Sequence, residues 1–138
     1  MANLENADLE KAREFFYKDT YACKTSGIVL DEIGEHFSKC SMKITDAHKN
    51  AYGGVMGGAI FTLADFAFAV ASNYNAPQTV SVTSQINYTG MAKGTTLIAQ
   101  ANVIKDGRTT CLYDIDIRDE LGTKVAYITI TGMKLGQK

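Results

Sequence analysis

The chain has 138 residues, of which 46% are hydrophobic and 21% charged, and its formal net charge is -1. This composition excludes a mainly disordered chain and predicts a single domain over residues 1–138. The mixed charges argue against a nucleic-acid partner, which would require a basic face. The three cysteines form no CxxC pair or Cys/His cluster, so we expect reduced thiols and no metal site in a cytoplasmic protein.

A helix and two extended segments are predicted before the first glycine cluster. Apolar residues recur at helical spacing over residues 7–21, within an N-terminal helical segment that ends at residue 25. Residues 28–30 predict a short strand or extended lead-in, with a turn at Gly34. Residues 36–45 alternate between apolar and polar, which predicts a half-buried strand. The polar N-terminus does not resemble a secretory leader.

The longest apolar run of the sequence follows four glycines. From Ala59 to Ala71 the only charged residue is Asp65. The run predicts a central helix over residues 56–74, buried on nearly all sides. It is too short to span a bilayer, which takes about 20 apolar residues, so we expect no membrane partner. Burying a carboxylate in such a helix costs free energy unless it is paired with another group, so Asp65 is expected to have a partner or a functional role.

Four more strands are predicted after the central helix. They cover residues 78–89, 95–104, 109–118 and 124–133, and each alternates between apolar and polar positions. Short turns join them, including an Asp-Gly pair within residues 105–108, so neighbouring strands should be antiparallel. The element order predicts an α+β fold in which one antiparallel sheet curls around the central helix.

The paired glycines before the helix allow two interpretations. Paired glycines usually indicate a tight turn and close helix–sheet packing. Alternatively, Gly57 and Gly58 open a helix whose free N–H groups polarise an anion or a carbonyl. No P-loop lysine follows and no GxGxxG motif is present, which argues against a nucleotide-phosphate site.

A polar stripe runs along the predicted helix through Gly58, Thr62, Asp65 and Ala69. Such a stripe on an otherwise apolar helix more often faces a site than a sheet, although Asp65 could be a core carboxylate satisfied by backbone or Thr62. Gly57 and Asp65 are eight positions apart, which is about 12 Å of helix rise. Two helices paired antiparallel across a two-fold axis would bring these residues together, with two equivalent sites per dimer.

Two polar residues precede the glycines. His48 in a polar loop more often braces the loop than acts as a base, and Asn50 is either a turn former or a group that orients a carbonyl or a water. No Ser/His/Asp triad can be read from the sequence, because the only other histidine is His36 and no GxSxG motif occurs.

One motif carries a resemblance to a known family: His48-x-Asn50-x-x-Gly53-x-x-x-Gly57-Gly58-x-x-x-x-Leu63-Ala64-Asp65. It resembles the signature of the hotdog-fold acyl-CoA thioesterases of the phenylacetic-acid-degradation (PaaI-like) group. Weaker similarities follow at residues 88–94, 106–108 and 119–126. The resemblance implies a sheet wrapped around the central helix, homodimers with sheets joined edge to edge, and often homotetramers. It also implies hydrolysis of acyl-CoA or aryl-CoA thioesters without metal or organic cofactor.

The same resemblance implies residue roles. Asp65 would be the catalytic carboxylate, as general base or nucleophile, and the N–H of Gly57 from the partner chain would polarise the thioester carbonyl. Asn50 would hold the carbonyl or the water, and Ser81 matches a position where some members place a hydroxyl near the carboxylate. Further substrate contacts are expected from His48, Met56, Gly58, Thr62, Lys105 and Arg108, the last two toward the phosphates of CoA, although they also fit a solvated turn.

One departure from the family keeps other functions open. The family usually has histidine where this chain has Met56, so an orienting imidazole hydrogen bond is lost, which favours a non-catalytic acyl-CoA binder or sensor. A hotdog dehydratase is a weaker alternative, because no His–Asp/Glu dyad is apparent in the sequence. A purely structural domain would have no pocket between subunits and would satisfy Asp65 within its own chain.

Overall fold

The computed structural model describes residues 6–136. Its helices and strands are α1 (Asn6–Phe16), β1 (Ile28–Gly34), β2 (Phe37–Lys43), α2 (Gly57–Asn73), β3 (Thr79–Tyr88), β4 (Thr96–Asp106), β5 (Thr110–Asp119) and β6 (Lys124–Lys134). A π-helical turn at Tyr21–Thr25 precedes β1, and a short 3-10 turn at Asp46–His48 follows β2.

The six strands form one antiparallel sheet in the order β1-β2-β4-β5-β6-β3. The helix α2 contacts every strand of this sheet, so the predicted architecture of a sheet around one central helix is confirmed. Within residues 6–136, no helix combines the length and the apolar character needed to cross a membrane.

The apolar sequence of α2 explains its central position. Its buried residues are Ile60, Leu63, Ala64, Phe66, Ala67, Phe68, Val70, Ala71 and Ser72. Each large apolar side chain among them contributes about 1.5–3 kcal/mol by leaving water. The remaining face carries the predicted stripe, with Gly58 and Asp65 exposed and Thr62 and Ala69 partly buried. The helix is therefore buried on all but this one narrow face.

The N-terminal segment departs from the continuous helix that its periodicity predicts. The helix α1 ends at Phe16: the N–H of Tyr17 still donates to Arg13, four residues earlier, but those of Lys18 and Asp19 donate to carbonyls only three residues earlier. The chain resumes as the π-helical turn, which Ser26 closes by donating its N–H to Tyr21. Hydrophobic periodicity does not detect such a break, because the apolar spacing continues through it.

Two of the strands also differ from expectation. β1 continues through Gly34, and the chain turns at His36, whose φ of 54 lies in the left-handed region. In β3 only Thr79 is buried, although the alternation predicts a half-buried strand. The reason is its position: β3 forms an outer edge of the sheet, where within residues 6–136 it pairs with β6 alone.

Candidate active site

The helix α2 begins with unsatisfied donors. Met56 is the N-cap, with extended backbone and no side-chain cap, and its carbonyl accepts the N–H groups of Ala59 (2.9 Å) and Ile60 (3.2 Å). Within residues 6–136, the N–H groups of Gly57 and Gly58 donate to no acceptor. Both lie at the positive end of the helix macrodipole, which favours a negatively charged or polarised oxygen there.

Asn50 builds the turn that leads to these glycines. Its side-chain oxygen accepts the N–H groups of Tyr52 (2.9 Å) and Gly54 (3.1 Å), which assigns the other amide atom as the NH2 group. Gly53 closes the turn at a φ of 88, a conformation open to glycine and strained for other residues. The turn-forming interpretation of Asn50 is therefore observed, and only its NH2 group is left to contact a ligand.

His48 is buried and braces the loop. Its Nδ1 accepts the N–H of Thr45 at 2.9 Å, so Nε2 carries the proton and donates to the carbonyl of Ser26 at 2.7 Å. Its own carbonyl accepts the N–H of Met56 at 2.7 Å, which fixes the approach to α2. Both ring nitrogens are thus used within the chain, and the predicted substrate contact of His48 has no free ring nitrogen to support it.

A cavity of about 640 Å³ opens at the start of α2. Asn50 and Gly57 both line it, together with Tyr88 and the loop that follows β3. Its apolar wall is formed by Ile44, Val55, Ile60, Ala92 and Val125. A mostly apolar cavity with a few convergent donors is the usual form of a small-molecule site.

Asp119, at the end of β5, holds one wall of this cavity. One carboxylate oxygen accepts the N–H groups of Lys93 and Gly94, both at 2.8 Å, and the other accepts those of Leu121 (3.0 Å) and Thr123 (2.8 Å). Burial alone would raise the pKa of Asp119, but the hydrogen bonds from Gly94, Lys93 and Thr123 hold it well below its ordinary value. The D-x-x-G spacing that begins at Asp119 was the available sequence signal for this role.

Glu120 extends the same attachment by one residue. Its carboxylate accepts the N–H groups of Thr95 (2.9 Å) and Thr96 (3.0 Å), and these backbone hydrogen bonds lower its pKa. A side chain at Gly94 would collide with this carboxylate. Two adjacent acids therefore fix the loop between β3 and β4, a function that the sequence analysis did not assign to either.

Asp65 lies on the exposed stripe and outside the cavity lining. Partial desolvation by flanking protein atoms raises its pKa, and the negative charge of Asp19 adds to the effect. Thr62 does not satisfy it, because the Thr62 hydroxyl donates to the carbonyl of Gly58 at 2.8 Å. Across the described part of the chain, no donor or cation contacts its carboxylate, so the alternative of a satisfied core acid is wrong.

The other predicted site residues are dispersed over one protomer. Ser81 is exposed on the edge strand β3, and the Met56 side chain is 56% exposed beside the helix start. Lys105 and Arg108 are exposed at the hairpin between β4 and β5. The cavity reaches Thr95 at the opposite end of β4, roughly 30 Å of strand away. Lys105 and Arg108 therefore do not belong to the cavity of their own chain.

A His–Asp pair does occur in the fold, although none is apparent in the sequence. Nε2 of His36 lies 3.4 Å from Asp106, whose other oxygen lies 2.7 Å from the amine of Lys134. Nδ1 of His36 lies 3.1 Å from the hydroxyl of Tyr113, which is buried. This clamp joins the β1–β2 turn to the β4–β5 hairpin and is remote from the start of α2.

The family model described as the Thioesterase superfamily matches residues 52–126. This chain belongs to the Thioesterase superfamily. The match covers α2, β3, β4, β5 and the start of β6, and most of the residues that line the cavity, although Asn50 precedes it. The predicted enzyme class, a thioester hydrolase, is confirmed at this level.

Individual relatives agree with that assignment of a hotdog thioesterase. The acyl-coenzyme A thioesterase PaaI of Escherichia coli is 32% identical over 87% of this chain and 86% of its own length. The solved structure of E. coli PaaI, from the phenylacetic acid degradation operon, superposes with a TM-score of 0.87 at 27% identity over 96% of both chains. A hypothetical thioesterase from Streptococcus pneumoniae, solved with coenzyme A, has a TM-score of 0.82 at 26% identity, over 91% of this chain and 98% of that one.

Proposed function

We propose that this thioesterase hydrolyses acyl-CoA or aryl-CoA thioesters to the free acid and CoA. The observation that carries the proposal is the unpaired N–H of Gly57 at the positive end of α2, on the wall of a largely apolar cavity. An amide in that position stabilises the oxygen of a thioester carbonyl as charge develops on it. The S. pneumoniae relative was solved with coenzyme A, which supports a CoA thioester as the substrate.

Each active site is shared between two copies of the chain in this proposal. Asp65 lies outside the cavity lining of its own protomer, and its exposed carboxylate has no partner in the described part of the chain. The outer edge of β3 offers unpaired backbone groups to a second copy of the same strand, which would continue the sheet. A two-fold axis there sets the partner's Asp65 opposite Gly57, twice per homodimer. A homotetramer would be a pair of such dimers.

The chemistry needs only groups of the chain and water. The thioester carbonyl oxygen accepts the N–H of Gly57 and the NH2 group of Asn50. Asp65 removes a proton from water while the water oxygen bonds to the carbonyl carbon, and the C–S bond then breaks to release CoA as a thiolate. A backbone donor of this kind contributes about 3–4 kcal/mol to the transition state, and a positioned base about 10²–10⁴ in rate. Direct attack by Asp65 on the carbonyl carbon is the other route.

Ser81 and the α2 stripe complete the arrangement. The hydroxyl of Ser81, on the edge strand, would donate to the carboxylate of Asp65 and orient it across the dimer. Gly58 and Thr62 lie on the same stripe between the helix start and Asp65, where they would contact a substrate bound between the two helices of the dimer. The hairpin cations Lys105 and Arg108 would reach CoA phosphates only in the site of another subunit.

A non-catalytic acyl-CoA binder is the second candidate function. The observation that favours it is Met56, whose thioether side chain cannot donate a hydrogen bond and stands where the family usually has histidine. A binder would retain CoA thioesters without turnover, so equilibrium binding measured beside hydrolysis separates the two functions.

The substitution Asp65→Asn tests the catalytic proposal. It removes the base but keeps the side-chain shape, so hydrolysis of short-chain, medium-chain, long-chain and aromatic CoA thioesters should fall by about 10²–10⁴. The matched control is Asp116→Asn, because Asp116 is a partly exposed acid on the sheet whose neighbour is Arg118. Wild-type rates in a folded Asp65→Asn protein would refute the mechanism. Single turnover in ¹⁸O water labels the carboxylate of Asp65 only if it is the nucleophile.

A further inference from the structure

Tyr88, the last residue of β3, links the sheet to the first turn of α2. Its hydroxyl donates to the carbonyl of Gly57 at 3.1 Å. A Cβ atom added to Gly57 would lie 2.9 Å from the Tyr88 hydroxyl and 3.1 Å from Cζ of its ring. The backbone of Gly57 has no positive φ. A side chain at position 57 would therefore displace this tyrosine, so its close approach, rather than backbone conformation, favours glycine there.

Burial does not explain this contact. The Tyr88 side chain is 53% exposed, and the ring lines the cavity instead of entering the core. An exposed phenol can hydrogen-bond to water at no cost, so a directed bond to one backbone carbonyl contributes little net stability. What the bond does is hold a backbone segment in one orientation.

The segment that it holds is intrinsically loose. Gly57 and Gly58 are consecutive glycines at a helix start that lacks a side-chain cap. Glycine has more conformational freedom than any other residue, and an oxyanion donor works only when it is held in place beforehand. The carbonyl of Gly57 and the N–H of Gly58 share one planar peptide unit, so a bond to that carbonyl orients the Gly58 N–H directly and restricts rotation about ψ of Gly57, which links it to the Gly57 N–H.

We propose that Tyr88 is a positioning residue that fixes the first turn of α2, so that its free N–H groups are aligned with the thioester carbonyl. This inference rests on the proposed hydrolysis. Tyr88 itself transfers no proton and takes no part in bond breaking, because its hydroxyl is committed to Gly57. Tyr88 affects the alignment of the N–H donor. Because this donor stabilises the transition state more than the bound substrate, its loss should lower kcat more than it changes KM.

The first experiment compares Tyr88→Phe with Tyr127→Phe. Tyr127 is the matched control, because it is also partly exposed and its hydroxyl donates to a side chain, Asp114 at 3.0 Å, on the same sheet. We expect Tyr88→Phe to lower kcat about threefold to tenfold, with KM changed by less than about twofold, and Tyr127→Phe to change neither. The ¹⁵N-amide signals of Gly57 and Gly58 should shift in Tyr88→Phe alone.

The second experiment is a double-mutant cycle of Gly57→Ala and Tyr88→Ala. Both substitutions break the same contact, so the double variant should lose less kcat than the product of the two single losses. Independent, multiplying losses would overturn the inference. So would unchanged kcat and unchanged glycine amide signals in Tyr88→Phe while the wild type turns over. A wild-type protein that hydrolyses no thioester would instead refute the proposed function, and this inference with it.

Discussion

The two ends of α2 differ in whether side chains form hydrogen bonds with their terminal backbone groups. At the C-terminal end, side chains form hydrogen bonds with backbone groups. Asn73 donates to the carbonyls of Ala69 (2.9 Å) and Thr79 (3.1 Å) and accepts the N–H of Thr79 at 2.8 Å. The Tyr113 hydroxyl lies 3.4 Å from the carbonyl of Ala71. At the N-terminal end, no side chain of residues 6–136 caps the helix, and the N–H groups of Gly57 and Gly58 find no acceptor among these residues.

This difference separates fold from function along one helix. A helix leaves four carbonyls at one end and four N–H groups at the other without intrahelical partners, and a protein satisfies them where nothing else will. Here the C-terminal end is closed by a network that includes the clamp of His36, Asp106, Tyr113 and Lys134. The unclosed N-terminal end is the one suited to a ligand oxygen.

The largest loss of activity is expected from removing either the Gly57 N–H at the start of α2 or the carboxylate of Asp65. Gly57→Pro removes the donor N–H, and the backbone there suits proline because position 57 is the first helical residue and Met56 already has an extended ψ of 135; its Cβ displaces the half-exposed Tyr88 ring. Gly57→Pro and Asp65→Asn should each be nearly inactive, losing about 10²-fold or more.

Mixing these two variants tests the shared site. Subunit exchange forms hybrid dimers with one intact site, so activity should return to about a quarter of the wild-type value after random assortment. The same proteins mixed without exchange serve as the control. Activity that does not return although hybrids are detected by native mass spectrometry would place Gly57 and Asp65 in one chain.

A smaller effect is expected at the closed end. Tyr113→Phe removes the hydroxyl that lies between His36 and the carbonyl of Ala71, and leaves the partly exposed imidazole and the buried Ala71 residue without that partner. We expect the free energy of unfolding in urea to fall by about 1–3 kcal/mol while kcat of the folded protein stays unchanged. A large loss of kcat in folded Tyr113→Phe would mean that the two ends of α2 are coupled.

The smallest effect concerns the cavity wall and depends on pH. The folded-state pKa of Asp119 lies below its ordinary value of about 3.9, so its contribution is present above that value and is lost as pH falls through the folded-state pKa. Asp119→Asn should therefore lower the melting temperature at pH 7, and the difference from wild type should shrink in acid. A difference that is constant from pH 7 to pH 3 would show that the charge of Asp119 is not what holds the loop.

Most of the fold could be predicted because it depends on local pattern. The apolar run of α2 and the alternation in β5 led to the observed elements, and Cys111, Tyr113, Ile115 and Ile117 are buried as their spacing predicts. The exceptions have non-local causes. Val103 is exposed because β4 has a bulge between Val103 and Lys105, and β3 is exposed because no strand of residues 6–136 lies beyond it in the sheet.

The sequence by itself determined the family, the central helix and the separation of Gly57 from Asp65, because each depends on spacing along the chain. Only the tertiary structure decided which polar groups are already used: His48 and the oxygen of Asn50 are committed to the loop, whereas Gly57 and Asp65 are not. It also brought Tyr88 onto Gly57 and His36 onto Asp106. Such contacts join residues 31 and 70 positions apart, and no local pattern encodes them.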